Sequence, residues 1–221
     1  MAVRKIDPSK VWSMILKNRV KSQVEAFSEY TLEIEAKFAK DKKRLSKSFD
    51  KEIKSLSAEE QEDIAEWFAE DHYLIEEIQL VIFRNSTLVS IYSFLEHELN
   101  HLCKHLCSRN NYAVKLGDLR GGGIIRAKNY LQKLAQIDFS SLKSEWSDLL
   151  DFNKIRNCIV HCEGNIKISG DHKHLQTIIS KNPDLDLQHD RYIKPSMEYL
   201  DDTITYTGIF LSKVYDLAFK K

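Results

Sequence analysis

The chain has 221 residues, with 33 Lys and Arg against 33 Asp and Glu and a formal net charge of zero. No bulk attraction therefore draws it to nucleic acid or acidic lipid, and a partner bound by charge must find a local patch. Hydrophobic residues at 43% and aromatics at 10% suffice to bury a core, which excludes a disordered chain.

Seven Gly and three Pro make up about 5% of the chain, where an average protein carries roughly 12%. Neither occurs between Pro8 and Gly117, which argues against a series of short strands, because hairpins need residues that preset a turn or tolerate positive φ. Long helices are the economical reading. Four Cys and the absence of a charged leader followed by an apolar stretch predict reduced thiols and a cytoplasmic location. The longest uncharged run, Asn85 to Leu95, has 11 residues, below the ~20 that a membrane-spanning helix needs, so no membrane partner is expected.

Over residues 10–56, apolar positions at Val20, Val24, Phe27, Ile34, Phe38, Leu45, Phe49, Ile53 and Leu56 draw one stripe along a long amphipathic helix. Between them lies a basic run, Lys37, Lys40, Lys42, Lys43, Arg44, Lys47, Lys51 and Lys54, interrupted by Asp41, Asp50 and Glu52. It reads as a solvated face or as a ridge that contacts phosphates. Ser57-Ala-Glu-Glu60 is a capping box, so a helical hairpin turns near Ser55. The second arm, 57–110, is expected to break near Asp71 and to be the more buried, with Leu80, Phe83, Leu88, Ile91, Leu95, Leu99 and Leu102 inward, until Asn110-Asn111 stops it.

The portion 118–221 follows. Gly117 to Gly123 reads as a connector, since a phosphate-cradling loop would want a preceding strand and a Lys-Ser/Thr ending. An amphipathic segment from Ile124 to Ile137 places Tyr130, Leu131 and Leu134 inward. Ser140-Ser141 offers a cap for a helix through Ile155 and Ile159 to Cys162, before Gly164. A short helix is expected at His174–Ser180, a strand pair at Asn165–Ser169 and Arg191–Lys194, and a last helix from Ser196 to Phe219. With no repeat and no Gly/Ser-rich linker, residues 1–221 are read as one helical domain.

Two motifs compete for the chemistry. His97-Glu98-Leu99-Asn100-His101 matches the His-Glu-x-x-His pattern of zinc peptidases, in which two imidazoles one turn apart bind metal and the Glu is general base. His105 adds an imidazole on that face, with Cys103 and Cys107 nearby. Against it, no sheet precedes the motif, and Lys104 stands where the extended pattern wants Gly. The plainer reading is of partly exposed imidazoles on a helix packed near a neighbour.

The second motif is Arg156-Asn157-Cys158-Ile159-Val160-His161. At 100° per residue Asn157 and His161 lie about 40° apart, whereas Arg156 and His161 are separated by about 140°. Only the long Arg side chain, or a second copy of the helix, can complete the group. The types are those that RNA cleavage without metal requires. A neutral imidazole takes a proton from a ribose 2′-OH or gives one to the leaving 5′-oxygen, a guanidinium neutralises the phosphorane-like transition state, and an amide orients either. The plain alternative is an Arg pairing at the helix end and a His packed under the next turn.

Ile155-Arg156-Asn157, His161 and Gly164, on a late helix of an all-α chain, resemble the Arg-x4-6-His signature of the HEPN superfamily. Asn129-Tyr130-Leu131 after the Gly-rich turn, and Ser93-Phe94-Leu95-Glu96, fit it more loosely. The resemblance implies a HEPN-like helical bundle, here carrying a long N-terminal helical hairpin extension. It implies a homodimer in which two such helices face each other across one composite cleft. It further implies metal-independent endoribonuclease activity without a cofactor, in toxin–antitoxin, abortive-infection or antiviral defence settings, with an antitoxin or other regulatory protein as a further partner. Carried over, Arg156 stabilises the transition state, His161 is general acid/base, Asn157 positions, and Glu96 is a supporting acid. Lys154, Lys43, Arg44 and Lys47 are the candidate RNA contacts. The alternatives are a non-catalytic HEPN-like module binding RNA or a protein partner, and a zinc metallopeptidase using His97, Glu98 and His101.

Overall fold

A computed structural model of the protein describes residues 8–220; of the span read as one domain, 1–7 and 221 lie outside the described residues. The chain is mostly helical, as the scarcity of helix breakers predicts. Helix α1 (Pro8–Glu52) runs for 45 residues, about 67 Å at 1.5 Å per residue. A 3₁₀ turn (Ile53–Ser55) leads to α2 (Ala58–Tyr73). The Ser57 capping box forms as read: the Glu60 amide donates to Ser57 Oγ and the Ser57 amide to Glu60 Oε2.

The second arm does not break near Asp71. A π-helical segment (Leu74–Gln79) carries it without interruption into α3 (Leu80–Asn110), the Leu80 amide reaching back to the Ile75 carbonyl. The extra residue per turn re-phases two carboxylates: Glu76 pairs with Lys42 of α1, while Glu77 accepts from Lys194 on the far side at 2.6 Å. Asn111, at φ 51°, ends α3 with its amide on the Cys107 carbonyl, the left-handed cap to which Asn is suited. The run Glu60–Asn110 is long and apolar enough to cross a membrane by length and composition alone, a test that a buried core helix also passes. Its Leu88, Ile91, Leu95, Leu99 and Leu102 are buried in the core.

Helix α4 (Gly123–Lys133) stops one turn short of Ile137; Tyr130 and Leu131 are buried and Leu134 half-buried. Ser140-Ser141 does not cap the next helix. Asp138 instead accepts from the Ser140 amide and hydroxyl, a 3₁₀ turn follows, and α5 (Lys143–Cys162) begins behind it. Helix α6 is His172–Lys181. The strand read at Asn165–Ser169 is a 3₁₀ turn (Ile166–Ile168) started by the Asn165 side chain, which accepts from the Lys167 amide; only Asn165 bridges to Tyr192. The hairpin is β1 (Leu185–Gln188) with β2 (Tyr192–Pro195), antiparallel with Leu185 opposite Pro195. Its turn places His189 and Asp190 at positive φ. Helix α7 (Met197–Phe219) starts at the Ser196 cap.

The main core is where α7 lies against α1 and α3, with α4 on α3 and α5 closing one side. Gly208 lets α1 approach α7: a Cβ there would stand 2.7 Å from Val24 Cγ2. A smaller cluster, Ile155, Cys158, Ile166, Leu175, Leu185 and Ile193, clamps the C-terminal half of α5 against the hairpin and α6. Beyond Phe38, α1 leaves the core and pairs with α2 and the π-helical segment, through Phe49 on Phe68 (ring centroids 4.5 Å apart) and Lys42 with Glu76.

Candidate active site

Helix α5 carries the Arg-Asn-x-x-x-His motif, and its register is set by burial. Phe152, Ile155 and Cys158 are buried, which leaves Arg156 and Asn157 half-buried at the edge and His161 exposed in the last turn. The helix end is fixed tightly. Glu163 (φ 52°) and Gly164 (φ 76°) are left-handed, the Gly164 amide donates to the Cys158 carbonyl at 3.1 Å, and the Gly164 carbonyl accepts from Ile193 at 3.0 Å. Gly164 is required by its φ, with the Ile193 amide nitrogen 3.7 Å from where a Cβ would sit.

The Arg156 guanidinium lies over the ring of Tyr92, 5.0 Å from its centroid, and Nη1 donates to Asn157 Oδ1 at 3.0 Å. Its Nε is buried with no acceptor, and among the described residues no carboxylate stands within ion-pair distance of it. Such a cation is held, yet has no counter-charge. Tyr92 is itself wedged by Phe152, edge-on at 5.6 Å. Burial, and then the charge of Glu96, push its hydroxyl up to about 12 against the opposing pull of Arg156 and the Ile124 amide. Tyr92 is thus a neutral platform at any working pH. Glu96 sits one turn on along α3, and the start of α4 passes close to both: a Cβ added at Gly123 would stand 3.5 Å from Tyr92 Oη and 3.7 Å from Glu96 Oε2.

Arg156, Asn157, Glu96 and the unforeseen Tyr92 and Gly123 are therefore brought together. His161 is not: among the described residues no hydrogen bond or ion pair holds it, and none joins it to Arg156. Lys154 is engaged elsewhere, on Asp171 at 2.5 Å. Lys43, Arg44 and Lys47 are exposed on the α1–α2 arm. Tyr92 escaped the sequence reading because a cation–π contact between α3 and α5 leaves no spacing signature; its one trace is the Tyr92/Glu96 interval of four.

The competing motif is wired inward. Glu98 is buried, and its Oε2 accepts from Arg19 Nη2 and from Tyr215 Oη, both at 2.5 Å. Arg19 also reaches His101 Nδ1 at 3.3 Å. Burial, then Arg19, hold His101 below the usual imidazole range. His105 packs between Trp12 and Phe219. Glu98 is thereby part of the α1–α3–α7 contact rather than a base presented to the imidazoles, and among the described residues no group of three or more His, Cys, Asp or Glu is placed to hold a metal ion.

Behind Phe152 lies a cavity of about 620 Å³ whose lining includes Asp148, Asp151, Asp202, Tyr199 and Tyr206. Lys181 lines it as well. No known protein family, curated protein or solved structure matches the chain.

Proposed function

We propose that the chain is a metal-independent endoribonuclease of HEPN type, acting in the cytoplasm as a homodimer in a toxin–antitoxin or antiviral defence role. One observation carries the reading: a half-buried guanidinium, seated on Tyr92 and Asn157, has no carboxylate partner and retains free N–H donors. A buried cation left in this state is stabilised by an anion, and a phosphodiester offers paired acceptors of the right geometry.

In the reaction the scissile phosphate is bound by Arg156. His161 in its neutral form accepts the 2′-OH proton while O2′ attacks phosphorus. The P–O5′ bond breaks, a protonated imidazole supplies the leaving 5′-oxygen with its proton, and the products are a 2′,3′-cyclic phosphate and a 5′-hydroxyl. Arg156 neutralises the charge that builds on the equatorial oxygens. Asn157 fixes the guanidinium through its Oδ1 contact, and Glu96 supports the Tyr92 platform. Since Arg156 turns toward Tyr92 and His161 faces solvent, the Arg156 of one protomer serves the His161 of its partner. An antitoxin or other regulatory protein holds the activity in check.

The test is cleavage of RNA by purified protein in excess chelator. Wild type should cleave, and His161→Ala and Arg156→Ala should not while remaining dimeric. Equal cleavage by wild type and Arg156→Ala, or an active monomer, would refute the composite site. The separation of Arg156 from His161 within one protomer favours one other reading, a non-catalytic module of the same fold that binds RNA or a protein. RNA binding without cleavage identifies it.

A further inference from the structure

The α1–α2 arm carries a feature that the reaction does not use. At 100° per residue, Lys40, Lys43, Arg44, Lys47 and Lys51 fall within about 100° of arc, a row about 16 Å long. All five are exposed. No acid lies inside that arc; Asp50 borders it. Of the other acids close by, Asp41 lies beside the row with Lys37 at 3.2 Å and Arg44 at 3.7 Å, Glu52 accepts from Ser48 at 2.9 Å, and Glu76 pairs with Lys42. Lys54 continues the row into the 3₁₀ turn. Among the described residues no ion pair joins an acid of α2 to this row.

From this row we infer that the arm is a binding surface for the RNA backbone, separate from the cleavage site, an inference that rests on the ribonuclease reading for the choice of RNA over other polyanions. A zero net charge denies the chain any long-range pull on RNA, and one guanidinium per protomer holds one phosphate. The row supplies five more cations at intervals of one to four residues, a line along which successive phosphates lie. A membrane surface is the poorer partner. A helix that lies on lipid keeps an apolar face free beside its basic one, whereas the apolar face here, with Phe49 on Phe68, is covered by α2.

The experiment measures binding of a 20-nucleotide single-stranded RNA by fluorescence anisotropy between 50 and 200 mM salt, in chelator, with His161→Ala as the parent to prevent cleavage. Each phosphate neutralised on a single strand contributes about −0.7 to the slope of log K against log salt. Lys43→Gln/Lys47→Gln/Lys51→Gln should therefore flatten the slope by about 2, so that the parent loses about 20-fold more affinity than the variant over that range. Lys104→Gln/Lys133→Gln/Lys173→Gln, exposed elsewhere, should keep the parental slope. Circular dichroism checks that both retain their helix content. An unchanged slope in the first variant, an equal change in the second, or binding of phosphatidylserine vesicles in place of RNA overturns the inference. If wild type cleaves nothing but the slope still flattens, the ribonuclease reading fails and the binding surface stands.

Discussion

Glu98 offers the sharpest division between a metal-site helix and a structural one. Its side chain is 3% exposed and its Oε2 takes both the Tyr215 hydroxyl and Arg19. Glu98→Ala strands the fully buried Tyr215 hydroxyl, at about 1–3 kcal/mol, and removes one packed methylene at about 0.8 kcal/mol. Arg19, its side chain 40% exposed, rehydrates, so its ion pair adds well under 1 kcal/mol. The expected loss is about 3 kcal/mol, or roughly 6–12 °C in Tm for a domain of this size. Glu98→Gln keeps an acceptor for Tyr215 and should lose about 1 kcal/mol. Thermal melts followed by circular dichroism read both. Tyr215→Phe combined with Glu98→Ala should cost less than the two separately, since each already breaks the same bond. An unchanged Tm for Glu98→Ala, or a wild-type Tm that falls on chelation and returns with zinc, would refute the structural assignment.

Three further perturbations probe other parts of the argument. Gly208→Ala places a methyl 2.7 Å from the stiff Val24 side chain; overpacking of about 1–3 kcal/mol outweighs the ~1 kcal/mol helix gain, and Val24→Ala should restore the loss in a double-mutant melt. Tyr92→Phe retains the aromatic face under Arg156 and should cleave RNA within about threefold of wild type, whereas Tyr92→Leu forfeits a cation–π contact of about 0.5–2 kcal/mol and should cleave about tenfold more slowly; equal rates for both would detach the platform from the chemistry. Acid should loosen α2. The Ser57 hydroxyl and amide hold Glu60 below the usual carboxylate range, and Lys42 does so for Glu76 although burial opposes it. Both groups therefore favour the folded arm above their unfolded pKa near 4.3, and this stabilisation disappears as pH falls through their lower folded values. The Tm of wild type should fall more steeply from pH 6 to pH 3.5 than that of Glu60→Gln/Glu76→Gln; parallel profiles would contradict this.

The helices were legible because their signals are local. The capping box at Ser57 and the stop at Cys162 before Gly164 each depend on residues within one turn, and the structure keeps both. The misread elements depend on distant partners. Ile166-Lys167-Ile168 alternates like a strand, but the Asn165 side chain captures the Lys167 amide and tightens it into a 3₁₀ turn, while Leu185-Asp186-Leu187, with the same alternation, finds β2 to pair with. No composition marks the π-helical segment either; within it Glu76 and Glu77 pair with Lys42 and Lys194. In the candidate site, the identities of Arg156, Asn157 and His161 could be read from spacing. That Arg156 rests on Tyr92 could not, because α3 and α5 meet only in the fold.

Both motifs that compete in the sequence meet on α3, and the helix geometry separates them. Tyr92 and Glu96 lie about 40° apart, facing α5 and the start of α4, while Glu98 is turned about 200° from Glu96 toward α1 and α7. The same test applied to each side gives opposite answers. A charge whose donors and acceptors are all met within the fold serves stability, and one left with unmet hydrogen bonds is open to water or a ligand. Glu98 accepts from two donors on two helices and holds them together. Arg156, across the helix, is kept in place by a ring and an amide that leave its charge unanswered, its Nε buried and without an acceptor. The Tyr92 face, standing where a carboxylate could, orients the guanidinium and leaves it without an ion-pair partner among the described residues.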